Sequence, residues 1–133
     1  MQESNWINLD RDAFIDAIAV DANAVIIDVR SAQEFQSGCV EGAINIPFTK
    51  RSVFLQLRRD KAYYLYCHSG GRSGLVANFL HKEGFPKIIN LTDGIQFWPG
   101  DELYSIAWVR NYSQPYPSFH IPQTIHFYLY TIH

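Results

Sequence analysis

"AYYLYCHSGGRSGLVANFLHKEG" (62–84) changes its pattern a quarter of the way along. Residues 62–67 open it with an apolar run, the pattern of a strand buried on both faces of a parallel sheet. Residues 73–84, closed by Gly84, carry apolar side chains at helical spacing and predict a helix. Between the two stand Cys67, His68, Ser69, Gly70, Gly71, Arg72 and Ser73. A turn from the carboxyl end of a parallel strand into a helix is where open α/β sheets hold their ligands. Gly70 and Gly71 allow that turn to be tight with its amides facing inward, and the helix adds about half a positive charge at its start. Such a loop favours anions, a thiolate among them: cysteines at helix N-termini or beside arginine ionise at pKa values of roughly 3.5–7.5. Taken alone, Cys67 could be an inert buried thiol and Arg72 a surface residue. Set in this loop, Cys67 reads as a reactive nucleophile and Arg72 as a ligand for an oxyanion. Ser69 and Ser73 contribute hydroxyls, and Ser73 is expected to cap the helix.

Outward from this stretch the chain alternates. "LDRDAFIDAIA" (9–19) predicts a helix with Asp10 as its cap, and "AVIIDV" (24–29) a strand buried on both faces. "SAQEFQSG" (31–38) offers Ser31 as cap, Glu34 as its capping-box partner and Gly38 as a stop. "GAINIP" (42–47) predicts a strand, "RSVFLQLRRD" (51–60) an amphipathic helix, "KIINL" (87–91) a strand and "DGIQFW" (93–98) a short helix. Strands alternating with helices imply parallel pairing through right-handed crossovers in a three-layer α/β fold.

With 133 residues, 47% hydrophobic and 18% charged, the chain is sized and composed for one folded unit. A formal charge of −2 offers no general attraction for nucleic acid or anionic membranes, so any anion site must be local. Two cysteines, Cys39 and Cys67, are too few for a disulfide scaffold and fit a reducing compartment. The start "MQESNWINLDRD" lacks a basic region followed by an apolar one, and no 18-residue apolar run suggests a span, so the expected location is cytoplasmic. Two cysteines and five histidines without ligand spacing predict no metal.

These residues resemble a known family. "CHSGGRS" matches the rhodanese-like pattern of Cys, two variable residues, Gly, one variable residue, Arg, and Ser or Thr. "IIDVRSAQEFQSGCVEGAINIP" (26–47) is similar to that family's Asp-Val-Arg, Glu-Phe and Gly-His-Ile-x-Gly-Ala-x-Asn-Ile-Pro segment, and "LTDGIQFW" (91–98) to its closing Gly-Gly-x-x-x-Trp. The resemblance covers about residues 6 to 99 and implies a rhodanese-like fold, a sheet of about five parallel strands flanked by helices. It also implies sulfur transfer through a persulfide on Cys67, with the amides of 68–73 around the sulfur and no cofactor. The substrates implied are a small anionic sulfur donor, thiosulfate or a persulfide, and a cyanide or thiol acceptor. Four residues separate Cys67 from Arg72, the loop length of the sulfurtransferases, whereas cell-cycle phosphatases of this fold have five. A non-catalytic interaction module of the same fold is the second reading, and phosphatase or arsenate reductase chemistry the third.

Asp28 and Arg30 match the Asp-Val-Arg and are expected to hold the rim together, and Glu34 to serve the capping box. Cys39 departs from the pattern by standing where the family has histidine; it reads as a small buried filler, with a disulfide to Cys67 as the sharper alternative. His68 is expected to face solvent. The domain is expected to span residues 1–103, and the resemblance does not extend beyond it. Residues 104–133 carry one formal charge, Arg110, and eight of the chain's twenty aromatics, a composition unlike a disordered tail. This aromatic-rich extension is expected either to fold back on the domain, with "TIHFYLYTI" (124–132) as a strand, or to join a protein partner or a second copy.

Overall fold

The computed structural model describes residues 6–96 and the backbone of the two-residue strand Leu103–Tyr104. The elements run β1 (Ile7–Leu9), α1 (Arg11–Val20), β2 (Ala24–Asp28), α2 (Ala32–Ser37), β3 (Cys39–Val40), β4 (Ile44–Asn45), α3 (Arg51–Phe54), β5 (Ala62–Tyr66), α4 (Gly71–Lys82), β6 (Ile88–Leu91) and β7 (Leu103–Tyr104). Five strands pair in parallel in the order β1-β6-β5-β2-β4, while β3 and β7 form a separate antiparallel pair. The expected five-stranded parallel sheet is therefore present.

Every residue of β2 and β5 is buried, as their unbroken apolar runs require for strands covered on both faces. Adjacent residues of β5 show what covers them. The Tyr64 ring meets Phe14 of α1 edge-on at 5.5 Å, and Tyr63, pointing to the opposite face, meets Phe85 beyond α4 at 5.9 Å. Each such aromatic stabilises the fold by about 1.5–3 kcal/mol through burial. The two tyrosine hydroxyls reach polar partners at the edges, Tyr64 donating to Asp21 at 2.8 Å and Tyr63 to the Arg58 carbonyl at 2.6 Å.

Several boundaries differ from the sequence reading. Asp10 caps α1 as expected, accepting from the Ala13 amide at 2.9 Å, but Leu9 belongs to an edge strand, β1, which pairs with β6 through Leu9 and Leu91. The helix expected over 51–60 closes after one turn; Arg58 then turns back onto Asp60 at 2.6 Å. The helix expected from residue 73 begins at Gly71, with Gly70 in the capping position, so Ser73 is not its cap. Residues 92–96 form turns, and the remainder of the helix expected over 93–98 lies outside the described residues. So does the extension beyond Tyr104, including the strand expected over 124–132. β7 spans the domain boundary expected at 103. No helix among the described residues is long and apolar enough to cross a membrane.

Candidate active site

β2 and β5 lie side by side with Asp28 opposite Tyr66, so their carboxyl ends deliver the Asp28–Arg30 segment and Cys67 to one rim. The Val29 amide donates to the Tyr66 carbonyl at 3.0 Å and continues the pairing to the foot of the cysteine loop.

α4 starts without a capping side chain, because Gly70 at its N-cap has none. The first amides of a helix have no intrahelical acceptor and must find one elsewhere. They find the sulfur of Cys67. Gly70 N–H donates to Sγ at 3.1 Å, Ser73 N–H at 3.4 Å and Ser73 Oγ at 3.4 Å; Ser73 Oγ also lies 3.3 Å from the Gly70 carbonyl. The Cys67 residue is only 1% exposed, and that burial on its own would push the thiol pKa up. The Ser73 hydroxyl and the amides of Ser73, Ser69 and Gly70 outweigh it, so the pKa is lowered from the ordinary thiol value and the thiolate is stabilised. Ser73, expected to serve as a cap, instead brings both its amide and its hydroxyl to the sulfur.

The two glycines of the loop differ. Gly70 has φ +97°, and a Cβ there would lie 2.0 Å from the Thr92 carbonyl oxygen, so only glycine fits. Gly71 is the first helical residue, has no positive φ, and a Cβ would meet nothing within 4 Å. The requirement expected at both positions therefore holds at Gly70 alone. Thr92 belongs to a turn that backs the loop: Ile95 N–H donates to the Cys67 carbonyl at 3.0 Å and Gln96 N–H to the His68 carbonyl at 2.9 Å. Gly94, with φ +66°, allows the approach, since a Cβ there would fall 2.2 Å from the His68 carbonyl oxygen. Both residues lie in the quoted "LTDGIQFW", but their contact partners are some 25 positions away and nothing local announces them. His68 and Ser69 are exposed, as expected for His68.

Arg72, in the first turn of α4, extends to Glu34 of α2. Its Nη1 and Nη2 donate to Oε1 and Oε2 at 2.9 and 3.1 Å. Glu34 is held for this from below: Ser31 N–H donates to its Oε1 at 3.0 Å while the Glu34 amide donates to Ser31 Oγ at 3.1 Å, the expected capping box. The guanidinium first, with the Ser31 bonds, holds the Glu34 carboxyl down to about 2. Glu34 thus has a second role that the capping-box reading did not contain.

Asp28 and Arg30 form the expected structural pair, fully inside the rim: Arg30 Nη2 donates to Asp28 Oδ2 at 2.7 Å and to the Gly38 carbonyl at 2.6 Å. Asn45 ties both residues to β4, donating to the carbonyls of Asp28 and Arg30 at 2.9 Å each. Cys39, in β3, is 1% exposed, and burial, aided by the charge on Asp28, pushes its thiol up to about 12. Neither Cys39 nor Cys67 is in a disulfide, so the cross-link expected as the sharper alternative for Cys39 is not formed. Among the described residues no cluster of three or more histidine, cysteine, aspartate or glutamate side chains could hold a metal ion.

A family model described as "Rhodanese-like domain" matches residues 11–101. The chain is 42% identical over 78 residues to YqhL of Bacillus subtilis, covering 58% of this chain and 62% of that protein. It is 24% identical over 100 residues to a protein named "Sulfurtransferase" from Allochromatium vinosum, covering 74% of this chain and 94% of its relative. The crystal structure of SSP1007 from Staphylococcus saprophyticus superposes with a TM-score of 0.67 at 25% identity, over 74% of this chain and 98% of that one. The chain thus spans less than two thirds of YqhL and nearly the whole of the latter two proteins.

Proposed function

The chain belongs to the rhodanese-like domain family, and from that premise we propose that it is a sulfurtransferase that carries sulfur as a persulfide on Cys67. One observation supports this reading above the others: a buried sulfur serves as the acceptor for the first-turn amides of α4. An anion at that place gains both the hydrogen bonds and the helix field. In the first half-reaction the Cys67 thiolate attacks the outer sulfur of the donor. The donor's S–S bond breaks, and its other sulfur leaves with the electron pair, as sulfite from thiosulfate or as a thiolate from an organic persulfide. The amides of Ser69, Gly70 and Ser73 and the Ser73 hydroxyl steady the negative charge that moves to the transferred sulfur. A thiol, or cyanide, then attacks the terminal sulfur and returns Cys67 to the thiolate. Substrate contacts fall to His68, Ser69, Gly70, Gly71, Arg72 and Ser73, and the relative named a sulfurtransferase supports this class of reaction.

The test is mass measurement after incubation with thiosulfate or glutathione persulfide, beside a thiosulfate-to-cyanide assay. Wild type gains one sulfur and forms thiocyanate; Cys67→Ser gains none and loses activity by at least about a thousandfold. A Cys67→Ser protein with wild-type turnover defeats the proposal. Wild type that takes up no sulfur from either donor points instead to a non-catalytic binding module.

A further inference from the structure

Arg72 is the residue of the cysteine loop to which an anionic donor would first be drawn. Its end-on face is already taken by the Glu34 carboxylate through two hydrogen bonds of 2.9 and 3.1 Å. Neither partner is loose. Glu34 is fixed by the Ser31 capping box at the start of α2, and Arg72 by its place in the first turn of α4. The pair is partly buried, with side-chain exposures of 32% for Arg72 and 36% for Glu34. The other guanidinium of the rim, Arg30, is committed to Asp28 side-on, through Nε at 3.0 Å and Nη2 at 2.7 Å. Both arginines of the rim therefore have their charge balanced by a carboxylate, and the donors that reach the sulfur itself are neutral amides and the Ser73 hydroxyl.

We propose that Glu34 sets the donor preference of this site: by closing an ion pair on Arg72 it disfavours dianionic sulfur donors such as thiosulfate and favours organic persulfides, whose persulfide group carries at most one negative charge. This rests on the reading of Cys67 as the sulfur carrier. The two donors differ in what leaves. From thiosulfate the departing group is sulfite, a dianion that calls for an unpaired cation beside it; from R–S–S⁻ it is R–S⁻, with one charge on the departing sulfur. Because the Glu34 carboxyl is held down to about 2, it stays charged at ordinary pH, and no ordinary change of pH releases Arg72.

Glu34→Gln tests it, because glutamine preserves the capping box while removing the charge. The opposite role for Glu34, that of positioning Arg72 to grip anions, predicts the reverse sign in the same variant. Three measurements are compared in wild type, Glu34→Gln and Glu83→Gln, the last raising net charge equally at the far end of α4. The first is kcat/KM with thiosulfate, the second is kcat/KM with 2-mercaptoethanol persulfide, whose only charge is on the persulfide, and the third is the affinity for sulfate, a dianion that cannot react, from amide chemical shifts of residues 69–73. Glu34→Gln is expected to bind sulfate about tenfold more tightly, to use thiosulfate about tenfold better through a lower KM, and to change persulfide use by less than about twofold; Glu83→Gln changes none of them by as much. Unchanged or weaker sulfate binding in Glu34→Gln, or poorer use of thiosulfate, overturns the proposal. Wild type that accepts sulfur from neither donor sinks the sulfur-carrier reading instead, and the sulfate titration still decides whether Glu34 screens Arg72.

Discussion

Cys39 and Cys67 are equally hidden, each 1% exposed, yet their surroundings drive the two thiols in opposite directions. Around Cys39 burial acts with the negative charge of Asp28, and the thiol is held neutral up to about 12. Around Cys67 burial also acts upward, but three amides and a hydroxyl converge on the sulfur and reverse the outcome. Loss of water is therefore a poor guide to whether a buried sulfur is ionised; what decides is whether fixed dipoles replace the water. The strand pair β3–β7 gives Cys39 a packed setting, whereas the left-handed turn at Gly70 aims the free end of a helix at Cys67.

The largest expected contrast is in alkylation of the native protein. Iodoacetamide near neutral pH should modify Cys67 and leave Cys39 untouched, by a rate ratio of at least about a hundredfold, read by peptide mass mapping of wild type and Cys67→Ser. Equal labelling would erase the distinction between the two environments. Next comes the turn that aims the helix. Gly70→Ala puts a methyl group into the Thr92 carbonyl at a positive φ and should cost at least about 3 kcal/mol in urea unfolding, whereas Gly71→Ala, in open space at the helix start, should be neutral or stabilising by up to about 1 kcal/mol. Similar losses at both positions would mean that the loop depends on glycine for another reason.

Stability at high pH separates the two sulfurs more finely. In the unfolded chain a thiol ionises near its ordinary value of 9.0, but folded Cys39 keeps its proton until about 12. Between those values the unfolded state binds fewer protons, so stability falls as pH rises, by up to about 1.4 kcal/mol per pH unit. Cys67 acts the other way: its folded pKa is lowered, so its contribution is present above the unfolded value and fades as pH falls through the folded one. Cys39→Ala should therefore flatten the alkaline decline in the urea midpoint above pH 9. An unaltered slope would show that Cys39 ionises freely in the fold. The smallest effect is expected of Ser73→Ala, which removes one of the four donors to the Cys67 sulfur. It should slow alkylation of Cys67 at neutral pH by roughly threefold to tenfold and move its pH profile upward while leaving Cys39 alone.

Much of this was legible in the chain itself, because the features concerned are local. The unbroken runs at 24–29 and 62–67 gave away strands covered on both sides, Ser31 and Glu34 are three residues apart, and the cysteine loop is contiguous. What escaped depends on distance or brevity. β1 has three residues and owes its strand state to β6, some 80 positions later, so Leu9 looked like the start of a helix. β3 has two residues and its partner is β7. The helix after Lys50 stops at Phe54, and Leu55 faces solvent while Leu57 is buried, so the stripe that the sequence suggested over 51–60 is not kept. Ser73 looked like a cap because it is a good capping residue; that Gly70 takes the cap position, left-handed and packed against the Thr92 carbonyl, depends on a contact 22 positions away. The Arg72–Glu34 pair spans 38 positions and no pattern in either segment announces it.

The strand pair joining Cys39–Val40 to Leu103–Tyr104 has a practical consequence for anyone trimming the gene. A stop codon placed after residue 103 would sever β7 between its two residues and leave the Cys39 backbone without its neighbour, and one placed before Gln96 would strip the brace from behind His68. The shortest fragment worth expressing therefore ends at Tyr104 or later, and any shorter one confounds removal of the tail with damage to the β3–β7 pair or the loop.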